Sequence, residues 1–142
     1  MSGRWAVVVP SNRPDRLKVF LDAWAPLFAR HARIVIVVDD TEGGDISRDS
    51  GIPHDVAVVH EHRTRPVLWA PAGSDMCRSY GFRWAHGTLA EFILSLDDDT
   101  LPDGDPFAEY EAVFDAGAPF SDYLNVGALT SFGGPMRGFP FD

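Results

Sequence analysis

The chain has 142 residues, with 45% hydrophobic and 23% charged side chains. That is the size and mix of about one globular domain with a real core, and it argues against general disorder. Acidic residues outnumber basic ones 21 to 12, for a formal charge of -9. This disfavours non-specific nucleic-acid binding and docking on anionic membranes, both of which need cations facing phosphates. Cys77 is the single cysteine, which excludes an internal disulfide framework and a cysteine-rich zinc site. The apolar runs fall far short of the roughly 20 residues of a membrane-spanning helix, so no membrane span is expected. Met1 to Arg4 leads straight into a strand-like segment without a secretory pattern. A cytoplasmic location is therefore expected.

In chain order, Trp5 to Val9 is apolar, β-branched and closed by Pro10, which reads as a buried strand. Asp15 to about Ala25 has helical spacing, with Leu17, Phe20, Leu21 and Trp24 on one face. Pro26 is expected to end or kink that helix. Arg33 to Val38 contains the continuous apolar run Ile34 to Val38, suited to a parallel strand covered on both faces. Residues 39–53 read as a loop, Val56 to Val59 as a third strand and residues 61–73 as another loop. Ser74 to Ala90 is expected to be a second helix capped by Ser74, with Met76, Tyr80, Arg83 and Trp84 sharing a broad face. Phe92 to Leu96 is a fourth strand. Asp105 and Pro106 open a third helix that runs to about Ala116, and Gly117 suits its C-terminus. Tyr123 to Leu129 is a candidate fifth strand, followed by a Gly/Pro-rich tail.

Strands alternating with helices predict a single α/β domain over residues 1–142, with a mainly parallel, twisted sheet and flanking helices, Rossmann-like in plan. Ligands of such sheets sit beyond the carboxyl ends of the strands. Three predicted strand ends carry distinctive polar residues: Pro10-Ser11-Asn12-Arg13, Asp39-Asp40 and Asp97-Asp98-Asp99. In a parallel sheet all three reach one rim.

Three consecutive carboxylates repel one another, and a hard divalent cation would relieve that cost. In an extended segment Asp97 and Asp99 point the same way and would share a Mg2+ or Mn2+ shell, with Asp98 turned to a ribose or a backbone group. The alternative is a solvated acidic loop that caps a helix. A phosphatase-type Asp-x-Asp-Gly-Thr motif fits poorly, because the glycine is missing and three strands precede it. A calcium loop of the EF-hand kind needs a different acidic spacing.

Several blocks resemble the reversibly glycosylated polypeptides, the UDP-arabinopyranose mutases, within the GT-A-type nucleotide-sugar fold. Val8-Val9-Pro10-Ser11-Asn12-Arg13 is similar to the family's Val-Ile-Pro-Thr-x-Arg opening. Phe20-Leu21, Trp24, Pro26 and Phe28 match its Phe-Leu-x-x-Trp-x-Pro-x-Phe helix, and Val37-Val38-Asp39 falls where it has Val-Gln-Asp. Cys77-Arg78-Ser79-Tyr80-Gly81-Phe82 resembles Cys-Arg-Cys-Phe-Gly-Tyr. Leu96-Asp97-Asp98-Asp99 corresponds to Ile-Asp-Asp-Asp, and Met136-Arg137-Gly138-Phe139-Pro140-Phe141 to Val-Arg-Gly-Tyr-Pro-Phe. The blocks keep the family's order across nearly all of the chain. Two departures stand out: Ser79 replaces the family's second cysteine, and Asp75 sits one place later than the family's acidic residue.

The resemblance implies a UDP-sugar ligand of the UDP-arabinose or UDP-glucose type, with Mn2+ or Mg2+ as cofactor. It implies interconversion of pyranose and furanose forms, or self-glycosylation, with transfer to another acceptor as the alternative. It places Pro10, Ser11, Asn12, Arg13, Asp39, Asp75 and Arg78 around the nucleotide-sugar and Asp97 and Asp99 on the metal. Asp98 and Arg137 would be catalytic, Arg137 at the position that the family glycosylates. The family continues well past Phe141, so the resemblance covers its N-terminal part. A second copy or a partner chain is expected to complete the fold, or the chain is a non-catalytic relative that binds a nucleotide-sugar or a partner. Cys77 reads as buried packing, Trp5, Trp24 and Trp84 as core, and Trp69 as the tryptophan suited to stacking on a base or sugar. His60 and His62 read as loop residues.

Overall fold

A computed structural model describes residues 3–41, 46, 56–59 and 76–116 of the chain. Ser74, Asp75, Trp69, His60, His62, Gly117, the candidate strand 123–129 and Arg137 lie outside the described residues. The chain falls into two compact units, Met1–Phe107 and Ala108–Asp142. The first carries strands β1 (Trp5–Ser11), β2 (Ala32–Asp39), β3 (Val56–Val59) and β4 (Phe92–Ser95), with helices α1 (Pro14–His31) and α2 (Met76–His86). Helix α3 (Pro106–Asp115) begins in the first unit. The described part of the second unit is the remainder of that helix and Ala116.

The four strands form one sheet in the order β3-β2-β1-β4, and every pairing is parallel. The expected α/β class is therefore observed. From β1 the chain steps outward through β2 and β3, then returns to place β4 on the other side of β1. The order thus reverses between β1 and β4.

Alternation along the central strands divides the core into two layers. Ala6, Val8, Ile36 and Val38 pack with Cys77, Tyr80 and Ala85 of α2. On the other face α1 buries Leu17, Phe20, Leu21, Trp24, Leu27 and Phe28. There Phe107 meets Trp5, Trp24 and Phe28 edge-on. The register sets Trp5 opposite Phe92, and their ring centroids are 4.8 Å apart.

Helix α1 runs through Pro26 and ends at His31, not at Ala25. A proline inside a helix removes one backbone hydrogen bond and costs about 3 kcal/mol. Packing beyond it outweighs that cost. Phe28 stacks on Trp24 at 5.6 Å, Leu27 is buried, and His31 stacks on Phe107 at 5.3 Å.

Helix α2 departs from expectation in two ways. It stops at His86 rather than Ala90, because Gly87 and Thr88 donate to the carbonyls of Trp84 and Ala85 in a closing turn. Its buried face is Cys77, Tyr80, Gly81 and Ala85, whereas Met76 and Trp84 are exposed, Trp84 by 46%. Apart from Tyr80 the sheet-facing side is built from small residues, Gly81 among them. Trp84 is therefore not a core residue.

Candidate functional site

The carboxyl ends of β1, β2 and β4 all face one rim, because every pairing is parallel. Ser11 lies opposite Asp39 in the register, and the Asp40 N–H donates to the Ser11 carbonyl at 2.9 Å. On the other side of β1, the Leu96 N–H donates to the Val8 carbonyl at 3.0 Å. By strand alternation, the next donor of β1 on that side belongs to residue 10, which is a proline without an N–H. The β1–β4 ladder ends there, and side chains take over the join between the two strand ends.

Asp98 makes that join. Its side chain is 3% exposed, and the Ser11 hydroxyl donates to its Oδ2 at 2.5 Å. Arg13 donates Nε to the same oxygen at 3.2 Å and a terminal nitrogen to Oδ1. This is a two-pronged guanidinium–carboxylate pair, the strong form of such contacts. The Arg13 N–H in turn donates to Ser11 Oγ at 3.2 Å. The hydrogen bond that Arg13 donates to Asp98, and after it the negative charges of Asp98 and Asp99, hold the Arg13 guanidinium above its ordinary pKa against partial desolvation. Arg13 stays charged at any working pH. Asn12 is exposed and Pro10 half-buried on the same rim.

The acidic triplet is not extended. The Thr100 N–H donates to the Asp97 carbonyl at 3.0 Å, which closes a turn, and Trp24 Nε1 fastens that turn by donating to the Thr100 carbonyl at 2.8 Å. Alternation of side chains therefore does not apply: Asp97 turns to Arg78, while Asp98 and Asp99 both reach one terminal nitrogen of Arg13. Asp97 pairs with Arg78, which also donates to Ser95 Oγ. Asp98 pairs with Arg13. Asp99 Oδ2 lies 3.5 Å from Arg13 and 3.7 Å from Arg16. Arginines thus relieve the repulsion that the sequence suggested a cation would relieve. Arg16 escaped the sequence reading. The available signal was its place one helical turn after Arg13, at the start of the helix that leaves the rim.

Asp39 is fully buried and closes the loop after β2. Its Oδ1 accepts from the Thr41 N–H at 2.9 Å and the Thr41 hydroxyl at 2.7 Å. Its Oδ2 accepts from the Ile46 N–H at 3.1 Å. This is the turn-shaping role open to an aspartate at a strand end. Asp39→Asn keeps one acceptor and turns the other into a donor facing the Ile46 N–H. It is expected to cost about 1–2 kcal/mol, measurable as a lowered urea midpoint with an unchanged slope. An unchanged midpoint would mean that the loop closes without this carboxylate. Cys77 is buried, as expected, and its thiol donates to Asp40 Oδ1 at 3.0 Å.

Asp97 and Asp99 remain the accessible carboxylates of the triplet, with side chains 64% and 51% exposed. Among the described residues, Asp97 Oδ2 and Asp99 Oδ1 accept no hydrogen bond. Among the same residues, no group of three or more His, Cys, Asp or Glu converges as a metal site would require. Such a donor set does not make a cage of protein ligands. It fits a Mg2+ or Mn2+ ion that takes one or two carboxylates and completes its shell with water and phosphate oxygens. No described helix is long and apolar enough to cross a membrane. Comparison with protein-family models, with curated proteins and with solved structures returns no match for the chain.

Proposed function

We propose that the chain is a nucleotide-sugar-binding domain of the GT-A kind. Its ligand is a UDP-sugar of the UDP-arabinose or UDP-glucose type, held at the rim between β1 and β4 with Mn2+ or Mg2+. The observation that carries this reading is the meeting of Ser11 and Arg13, from the end of β1, with Asp98, from the end of β4. They meet where the strand order reverses, the place at which open α/β sheets bind ligands. The resemblance to the UDP-arabinopyranose mutases supplies the identity of the sugar nucleotide.

In this reading Arg13 and Arg78 offer planar cationic forks to the diphosphate, a geometry that arginine suits better than lysine. Asp97 and Asp99 hold the cation, and Asp98 holds Arg13 and Ser11 in place. A cation held by Asp97 and Asp99 would supply Lewis-acid neutralisation of the diphosphate's charge. Arg137 is the proposed acceptor or diphosphate clamp. A free guanidinium is a poor nucleophile because it stays protonated, so acceptance of the sugar at Arg137 needs an adjacent base.

Titration of UDP into the protein by calorimetry, with and without Mn2+, tests the reading. Metal-dependent binding is expected, weakened by about tenfold or more in Asp99→Asn, the equivalent of about 1.4 kcal/mol. Absence of binding with Mn2+ present would overturn it. Product analysis with a UDP-sugar then separates the activities. A mutase leaves the sugar on UDP, a self-glycosylating protein gains its mass at Arg137, and a transferase to another acceptor releases UDP. A second reading, a non-catalytic binding domain, draws on the state of Asp98. The most buried carboxylate of the triplet spends its oxygens on Ser11 and Arg13, an architectural use. UDP binding without turnover of any of the three kinds would establish that reading.

A further inference from the structure

Strand β4 pairs with β1 along its inner edge, and among the described residues nothing pairs with its outer edge. The Phe92 N–H donates to the Arg4 carbonyl at 3.2 Å and the Leu96 N–H to the Val8 carbonyl at 3.0 Å. By alternation, the backbone groups of Ile93 and Ser95 therefore point outward. Open edges of this kind are normally blunted by lysine, proline or a bulge. Phe92-Ile93-Leu94-Ser95 has none of these, and its register on β1 runs without a shift. Ile93 is 43% exposed. It lies opposite Ala6 in the register, so its side chain shares the face that α2 covers. Phe82, also exposed, is one turn after Arg78 on the side of α2 that reaches Ser95. Leu89, in the connection from α2 to β4, is 85% exposed. An open strand edge thus runs beside an apolar strip.

We propose that this edge pairs with the same edge of a second copy, antiparallel, about a twofold axis at Leu94. Ile93 of each copy then lies opposite Ser95 of the other, and the two exchange both backbone hydrogen bonds. The axis stands normal to the sheet, so the α2 faces of both copies stay on one side and their apolar strips meet over the joined strands. Charge selects this occupant. Two chains of formal charge -9 repel each other in general, but both ends of β4 are locally balanced. Arg4 pairs with Glu91 at its start, and Arg78 with Asp97 just past its end. The antiparallel register sets Glu91 opposite Asp97 of the second copy, each already held by its own arginine. Each junction therefore gathers two guanidiniums and two carboxylates, and Glu91 gains the Arg78 of the other copy as a neighbour. The pairing is independent of what the rim binds.

Sedimentation velocity of the whole chain over a concentration series tests the proposal. A reversible monomer–dimer equilibrium is expected, as suits a short edge pairing and not an obligate interface. Ile93→Lys puts a charge on the strip and on the edge, and is expected to weaken the dimer at least about tenfold. Its circular dichroism should match wild type, because position 93 is not buried. Leu94→Cys places a thiol beside the twofold axis. Opposed residues whose backbone groups point away from each other have Cα atoms about 4.5 Å apart, within disulfide reach. Mild oxidation is therefore expected to link Leu94→Cys into a covalent dimer on a non-reducing gel. Wild-type protein, whose single cysteine is buried, should give none. A chain that stays monomeric at every concentration overturns the proposal, whether the edge then belongs to another segment of the chain or to a different protein. So does a dimer that Ile93→Lys leaves as strong as before, or one that Leu94→Cys does not cross-link.

Discussion

Gly81→Ala is expected to lower stability by about 2–3 kcal/mol, although alanine is the better helix former by about 1 kcal/mol. A methyl group built on Gly81 would stand 2.3 Å from Val8 Cγ1 and 2.8 Å from Val38 Cγ2, distances that carbon atoms do not adopt. Val8 and Val38 belong to β1 and β2, paired strands of the sheet, and both are completely buried, so neither has room to retreat. Either the helix must lift away from the sheet or the valines must leave their rotamers. Lifting α2 would also draw Arg78 away from Ser95 and Asp97, so the rim would loosen together with the core. Urea unfolding of Gly81→Ala measures the cost, and Val8→Ala in the same background identifies its source. The smaller residue at position 8 creates a cavity in the parent. In the Gly81→Ala protein it removes the nearer clash, so the two costs should sum to clearly more than the double variant shows. Additive costs, or a stabilised Gly81→Ala protein, would mean that α2 does not sit this close to the sheet.

The parallel sheet was legible because Ile34 to Val38 and Ala6 to Val9 are runs of apolar residues without polar alternation. Such runs suit strands covered on both faces. The buried face of α2 was legible only in part, at Cys77 and Tyr80. A search for large apolar residues also selects Met76 and Trp84, which are exposed, and passes over Gly81 and Ala85, which the sheet accepts because they are small. Pro26 misled because the local rule against proline in a helix takes no account of packing in the next turn. Leu27 and Phe28 have burial sites waiting for them only if the helix continues. Helix propensity is a local term, and here the tertiary term exceeded it.

At the rim, the sequence showed which residues would gather but not how they would pair. Strand ends are countable in a parallel fold, so Ser11, Arg13, Asp39 and the triplet could be placed together. The turn that Thr100 closes on Asp97 was invisible, and with it the parting of Asp97, on Arg78, from Asp98 and Asp99, on Arg13. Arg16 was invisible because nothing in an Arg-Leu-Lys run signals a partner more than eighty positions later. The pairing of Cys77 with Asp40 likewise joins α2 to the loop after β2, a proximity set by the crossover and not by either local sequence.

Asp98→Ala is expected to cost about 2–3 kcal/mol in stability and to weaken binding of UDP with Mn2+ by roughly ten- to a hundredfold. The stability cost comes from three donors left facing a void: the Ser11 hydroxyl and two nitrogens of Arg13. It falls short of the full penalty for orphaning a buried charge, about 3–5 kcal/mol, because the Arg13 side chain is 44% exposed and can turn to water. The binding loss has a different origin. With Asp98 gone, β1 and β4 lose their side-chain join beyond Pro10, and Arg13 no longer has a fixed place from which to meet a phosphate. Asp98→Asn separates the two effects. The amide preserves the volume and one acceptor for Ser11, so it should fold nearly as stably, yet it cannot accept both prongs of Arg13. Full retention of UDP affinity in a well-folded Asp98→Asn protein would mean that the Arg13–Asp98 pair is purely structural. A loss of affinity shared by Asp98→Asn and Arg13→Gln, and no greater in the double variant, would show that the two residues act as one unit. Asp98 would then be the positioning residue of the site, its carboxylate working through the arginine that it holds.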